Sequence, residues 1–113
     1  MAKAVTLRRQ RDFDRLFNEG KRYHDRLLVT VVRQGGDDEP VRAAFIVGRR
    51  VDKRAVVRNR VKRRLREAWR QELPDVKDSV DVALIAQPPA AQASYHELAA
   101  AMHRHLAEAG VAE

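Results

Sequence analysis

Between Arg54 and Leu73 the sequence allows little besides one long helix. Counting back from Leu73 in fours gives Trp69, Leu65, Val61 and Val57, with Ala68 beside them. That is a narrow apolar stripe at helical spacing. Arg58, Lys62, Arg66 and Arg70 recur at the same interval and form a second stripe. Arg60, Arg63 and Arg64 fill more of the remaining surface, and only Glu67 offsets them. Like charges four apart weaken an isolated helix, so stability does not explain the pattern. A polyanion does, because each phosphate neutralised releases counterions. Ordinary solvated helices mix their signs. Asn59, between two arginines, adds an amide with both donor and acceptor, which selects a geometry where Arg and Lys supply only charge.

The charge is unevenly distributed along the chain. From Arg49 to Arg70 there are eleven Lys and Arg against Asp52 and Glu67, whereas from Gln71 to the end there are two against seven acids. The whole chain carries +7. A basic face on a mildly acidic body points to an anionic partner. The 113 residues suit a single domain with a modest core, residues 1–113. Without cysteine there is no disulfide scaffold and no thiolate metal site. No apolar run approaches a membrane span and no h-region follows the N-terminus, so the expectation is a cytoplasmic protein with no membrane partner.

In chain order, residues 1–10 read as a basic, flexible N-terminal arm. Residues 12–19 read as a short helix whose Phe13, Leu16 and Phe17 share a face, stopped by Gly20. Phe13 and Phe17 suit core packing, and beside arginines they also suit stacking on unpaired bases. Residues 27–33 and 41–48 read as two strands joined as a hairpin through the Gly- and Asp-rich segment between them. On the second strand Val41, Ala43, Phe45 and Val47 share a face. Arg49-Arg50-Val51 reads as a turn or a short extra strand, and Pro74 ends the basic helix. The apolar run within 80–87 reads as a central strand buried on both faces. Ser94 and Glu97 form a capping box for a last helix with Leu98, Ala101, Met102, Leu106 and Ala109 on one face, ended by Gly110. The expected order is α-β-β-(β)-α-β-α, an α+β fold with the helices on one face of a small mixed sheet.

Side-chain catalysis finds little support. His24, His96, His103 and His105 all read as surface histidines, and His103 and His105, two apart on a helix, point to different faces. There is no HExxH, phosphate-binding loop or nucleophile elbow. Arg-Asn-Arg resembles a zipper-type basic region, but Pro74 follows Leu73 and no leucine heptad does. A ribosomal-protein-like RNA-binding module is an alternative on these residues.

The stretch Ala55–Glu67 resembles the signature helix of the bacterial ribonuclease P protein component. The pattern is Arg58-Asn59-Arg60, then Lys62-Arg63, then Arg66. Its context is similar too. Phe13 and Phe17 precede Gly20, Val47-Gly48-Arg49-Arg50 precedes the signature, and Ser94-Tyr95 opens the last helix. The resemblance covers about residues 7–108.

It implies a protein that assists a large catalytic RNA in removing the 5′ leader of precursor tRNA. The chemistry and the Mg²⁺ ions are held by the RNA, no catalytic residue, metal or small-molecule cofactor belongs to the chain, and the protein alone is inactive. By the same resemblance Arg49, Arg50, Arg58, Asn59, Arg60, Lys62, Arg63 and Arg66 face RNA, and Phe13, Arg15, Phe17 and Lys21 line a leader-binding cleft between the first helix and the sheet. Thr30 stands where family members can carry a cleft aromatic, Gly48 where Ser or Ala is common, and the loop 52–54 is one residue longer than in some members and lacks their Gly. Strand–helix–strand crossovers are right-handed in about 98% of cases. The resemblance implies a left-handed one here, of the type found in the second domain of a small-subunit ribosomal protein.

Overall fold

A strand that is apolar at nearly every position must have neighbours on both edges and cover on both faces, and this chain has one: Val80–Ala86, buried at six of its seven positions. The computed structural model describes residues 5–35, 40–77 and 79–112. Its elements are β1 (Val5–Thr6), α1 (Gln10–Glu19), β2 (Lys21–His24), β3 (Leu28–Gln34), β4 (Arg42–Ile46), α2 (Ala55–Glu72), β5 (Val80–Ala86) and α3 (Tyr95–Glu108). Short 3₁₀ turns at Leu73–Asp75 and Pro88–Gln92 follow α2 and β5.

The sheet order is β1-β4-β5-β3-β2. β5 pairs parallel with β4 and antiparallel with β3. The expected hairpin of β3 with β4 is therefore wrong: β5 lies between them. Local turn chemistry suggested the hairpin, but β5 needs two partners, and inserting it between β3 and β4 supplies them. The hairpin that does form joins β3 to β2, with the Asp25 carboxylate accepting from the backbone N–H groups of Leu27 and Leu28 at 2.8 and 2.9 Å. β2 was not legible beforehand. It is an edge strand, exposed at three of its four positions, and edge strands lack the apolar alternation that marks buried ones.

The expectation of helices on one face is also corrected. α2 and α3 cover one face, where Val57, Val61, Leu65, Trp69, Leu98 and Met102 join Leu28, Ala43, Val82 and Leu84 in the larger core. α1 covers the other, where Leu16 packs with Leu7, Val31, Ala44 and Ala83. β4 alternates between the two cores: Val41 lies at its foot and Ala43 on it with the α2 core, while Ala44 belongs to the α1 core. Leu7 is buried and β1 pairs parallel with β4, so the expected arm is anchored from Val5 onward; residues 1–4 lie outside the described residues. Gly20 makes α1 possible. A Cβ there would lie 2.5 Å from the Leu16 carbonyl oxygen and 3.0 Å from a Val31 methyl, because the chain turns from helix into strand directly over β3. The capping box forms as expected, with Ser94 Oγ accepting from Glu97 N–H at 3.1 Å and Glu97 accepting from Ser94 N–H at 3.0 Å.

Candidate nucleic-acid interface

α2 buries Val57, Val61, Leu65, Ala68 and Trp69, which fixes what faces outward. Val56, Asn59, Arg60, Arg63, Arg66 and Arg70 are exposed. Val56, Arg63 and Arg70, seven apart, lie along one line of the helix with Asn59 and Arg66 beside it. The anticipated stripe Arg58–Lys62–Arg66–Arg70 is therefore not the outermost one. Lys62 and Arg58 are half-buried.

Arg58 donates to the carbonyls of Asp52 and Lys53 at 3.1 and 2.7 Å, fastening the preceding turn to the helix. Arg64 donates to the carbonyl of Ala93 at 2.7 Å and ties α2 to the turn before α3. Asp52 is occupied by Arg54, whose side chain and backbone N–H hold its carboxyl down to about 2. Arg70 pairs with Glu67 at 3.0 Å. Among the described residues Arg60, Lys62, Arg63 and Arg66 form no ion pair, and neither do Arg49 and Arg50 on the exposed turn after β4. Arg66 lies 5.9 Å over the Phe45 ring. Arg49 and Arg50, with Lys53, line an open hollow of about 520 Å³.

The α1 face of the sheet is built in rows by the strand register. The first row is Arg33–Asp81–Arg42, the second Arg22–Val31–Ala83–Ala44 and the third His24–Val29–Ile85–Ile46. α1 lies over the second. Asp81, 2% exposed, accepts from Arg42 Nε and Nη2 at 2.9 Å each and has Arg33 at 3.5 Å and Arg15 at 4.0 Å. Asp12 adds contacts to Arg42 and Arg15 at 3.3 and 3.5 Å. The third row is half-open. Beside it Phe13 and Phe17 stack with ring centroids 6.2 Å apart, and both, like Val29, Ile46 and Ile85, pack against the Leu16 core. The result is an apolar shelf on one side of α1 and an ionic network on the other.

Of the four expected cleft residues, the shelf gathers Phe13 and Phe17. Arg15 lies on the opposite side of α1, in the Asp81 network. Lys21 alternates with Arg22 along β2 and falls on the α3 face. Arg22 is the cation that reaches the shelf, 5.6 Å over the Phe17 ring. Strand alternation would have found it, had β2 been recognised. Thr30 is likewise on the α3 face: its hydroxyl is buried against His105 Nδ1 at 2.7 Å, while Val29 and Val31 face α1.

The ribonuclease P family matches residues 1–110 of the sequence. The chain belongs to the ribonuclease P protein family. It is 30% identical to the ribonuclease P protein component of a Cyanothece species over 98% of this chain and 96% of that one. It is 40% identical to that of Acidothermus cellulolyticus over 88% of this chain and 83% of that one. The Staphylococcus aureus RNase P protein shares the fold, with a TM-score of 0.85 at 23% identity over 98% of this chain and 100% of that one. The Thermotoga maritima RNase P protein superposes with a TM-score of 0.76 at 26% identity, covering 89% of this chain and 94% of that one. The chain is thus the protein subunit of a ribonucleoprotein endoribonuclease.

In this ribonuclease P protein the expectation of four surface histidines fails at His105, which is 2% exposed. Position 105 continues the buried stripe of Leu98 and Met102, a signal the sequence did carry. Burial pushes its imidazole below the usual histidine value, although Asp25, 3.4 Å from Nε2, pulls the other way. Burial would raise the Asp25 carboxyl, but the Leu28 and Leu27 N–H groups, Arg104 and His105 together hold it low. Among the described residues no group of three or more His, Cys, Asp or Glu could hold a metal ion, and no helix is long and apolar enough to cross a membrane.

Proposed function

We propose that this subunit binds the catalytic RNA of ribonuclease P along the outward side of α2 and the turn after β4, and the 5′ leader of precursor tRNA on the shelf beside α1. The single observation that carries the reading is the set of unpaired cations around Arg60, Lys62, Arg63 and Arg66. A folded chain gains nothing from leaving so many like charges together, whereas an RNA backbone neutralises them with release of counterions. Arg49 and Arg50 extend the same surface. Asn59 supplies a donor and an acceptor to it, and Arg58 acts mainly by holding the turn that presents it.

The shelf supports leader binding by a different physics. Phe13 and Phe17 offer half-exposed ring surface, Arg22 adds a cation beside them, and stacking accepts any base. That suits a protein meeting the leaders of many tRNAs. In this reading Mg²⁺ ions belong to the RNA, where they activate water and stabilise the leaving oxygen, and the subunit works beside that RNA in the cytoplasm. The protein's own part is to hold and orient.

The test is cleavage of a precursor tRNA by bacterial ribonuclease P RNA at low Mg²⁺, with and without this chain. The expected result is cleavage at the mature 5′ end only when both are present. Unchanged cleavage with RNA binding intact would contradict a role in leader removal.

A further inference from the structure

Val56 is exposed to 71%, and it is the exposed large hydrophobic residue among the described residues. Isolated apolar residues on a surface are common, but the position of this one is unusual. It stands in the first turn of α2, at the end of the outward line that continues through Arg63 to Arg70. Asn59 and Arg60, three and four residues on, are its neighbours on the helix surface. Lys53 precedes it in the turn that carries Arg49 and Arg50. A β-branched residue is a poorer helix former than Lys, Arg or Ala, so neither helix propensity nor solvation favours valine here.

We infer that Val56 is the apolar anchor of the RNA contact, packing against the ribose or base face of a nucleotide whose phosphates are held by the surrounding cations. The inference rests on the reading of α2 as the RNA-binding side and adds a residue that works by a different force. The cations decide the occupant. An apolar protein partner would have to bury Arg60 and Arg63 without carboxylates, whereas a nucleotide brings the phosphate and the apolar surface together. Electrostatic contacts alone slide along a backbone. An apolar contact at one end of the row fixes where along the RNA the helix stops.

The two forces separate by salt. Arginine contacts set the slope of log affinity against log salt, and a dehydrated valine does not. The experiment measures binding of the full-length chain to bacterial ribonuclease P RNA across a salt series, for the wild type, Val56→Ala and Val56→Thr. Val56→Thr keeps the branched shape and replaces one methyl with a hydroxyl. Both variants are expected to bind about three- to tenfold more weakly, with the slope unchanged and the melting temperature unchanged, because an exposed side chain contributes little to the fold.

Wild-type affinity in both variants would overturn the inference and leave the role of α2 standing. A changed slope would also overturn it, since the valine would then act by moving its charged neighbours. Loss of concentration-dependent self-association in the variants, with RNA binding intact, would give the surface to a second copy of the chain and overturn it as well. Wild-type binding without salt dependence would instead bring down the reading of α2 itself.

Discussion

The two faces of the sheet use arginine in opposite ways. On the α1 face Arg15, Arg33 and Arg42 converge on one buried carboxylate, Asp81, and Asp12 adds a second. On the far side of α2, Arg60, Arg63 and Arg66 meet no carboxylate among the described residues and stand in solvent. Composition treats these arginines alike. What separates them is register: Asp81 is opposite both Arg33 and Arg42 in the strand pairing, while the one acid on α2's middle stretch, Glu67, is taken by Arg70. An arginine with a buried partner is part of the fold. Arg58 and Arg64 are part of it too, through backbone carbonyls, whereas Arg60, Arg63 and Arg66 are left open to an anionic partner.

Removing Asp81 probes the difference between the two faces most strongly. Asp81→Ala would leave three guanidinium groups converging on an empty position, and losing one partner of a buried ion pair costs about 3–5 kcal/mol. Urea denaturation should show that loss. A cost below about 1 kcal/mol, as for an exposed pair, would mean that the α1-face arginines are as solvent-directed as those of α2.

Within α1, burial separates structure from function. Leu16 is fully buried, and Leu16→Ala should cost about 2–5 kcal/mol. Phe17 is half-exposed, so Phe17→Ala should cost less, about 1–2 kcal/mol from partial loss of buried area, while weakening affinity for single-stranded leader RNA. Equal destabilisation by the two substitutions would make Phe17 a core residue and remove the shelf.

Much of this contrast could be read beforehand where a single periodicity decided the outcome. The stripe of Val57, Val61, Leu65 and Trp69 gave α2, the unbroken apolar run gave β5 as the central strand, and Ser94 with Glu97 gave the start of α3. The misses share a cause: each depended on a partner distant in sequence. β3 and β4 looked like a hairpin because the sequence between them is rich in Gly and Asp, but pairing was decided by β5, some forty residues later. Arg15 was expected beside Phe13 and Phe17, and that it turns instead toward Asp12 and Asp81 depends on where the sheet puts those acids. β2 has neither a buried face nor a periodicity, so the sequence did not tell that Arg22, rather than Lys21, lies beside Phe17. β4 did carry the sign of two covered faces, since Ala44 and Ile46 alternate with Ala43 and Phe45.

The smallest effect concerns the α3 side. Folding lowers the pKa of His105 below its ordinary value of 6.5, so its contribution to stability is complete above that pH and is lost as pH falls through the folded-state value. Asp25, also lowered, acts in the same direction below its ordinary 3.8. Denaturation midpoints should therefore decline from near pH 6.5 downward in the wild type. In His105→Gln, which keeps a partner for the Thr30 hydroxyl, the decline should begin only in the carboxylate range. A midpoint that rises as pH falls below 6.5 would contradict the buried, neutral imidazole.

The most direct test of the whole account is the salt dependence of binding to ribonuclease P RNA for the wild type and for the triple variant Arg60→Ala, Arg63→Ala, Arg66→Ala. The variant should keep its melting temperature, and its log–log slope should fall by about two to three units as three phosphate contacts disappear. An unchanged slope, with the protein folded, would mean that the unpaired arginines of α2 do not face the RNA, and the distinction between the two faces of the sheet would fail.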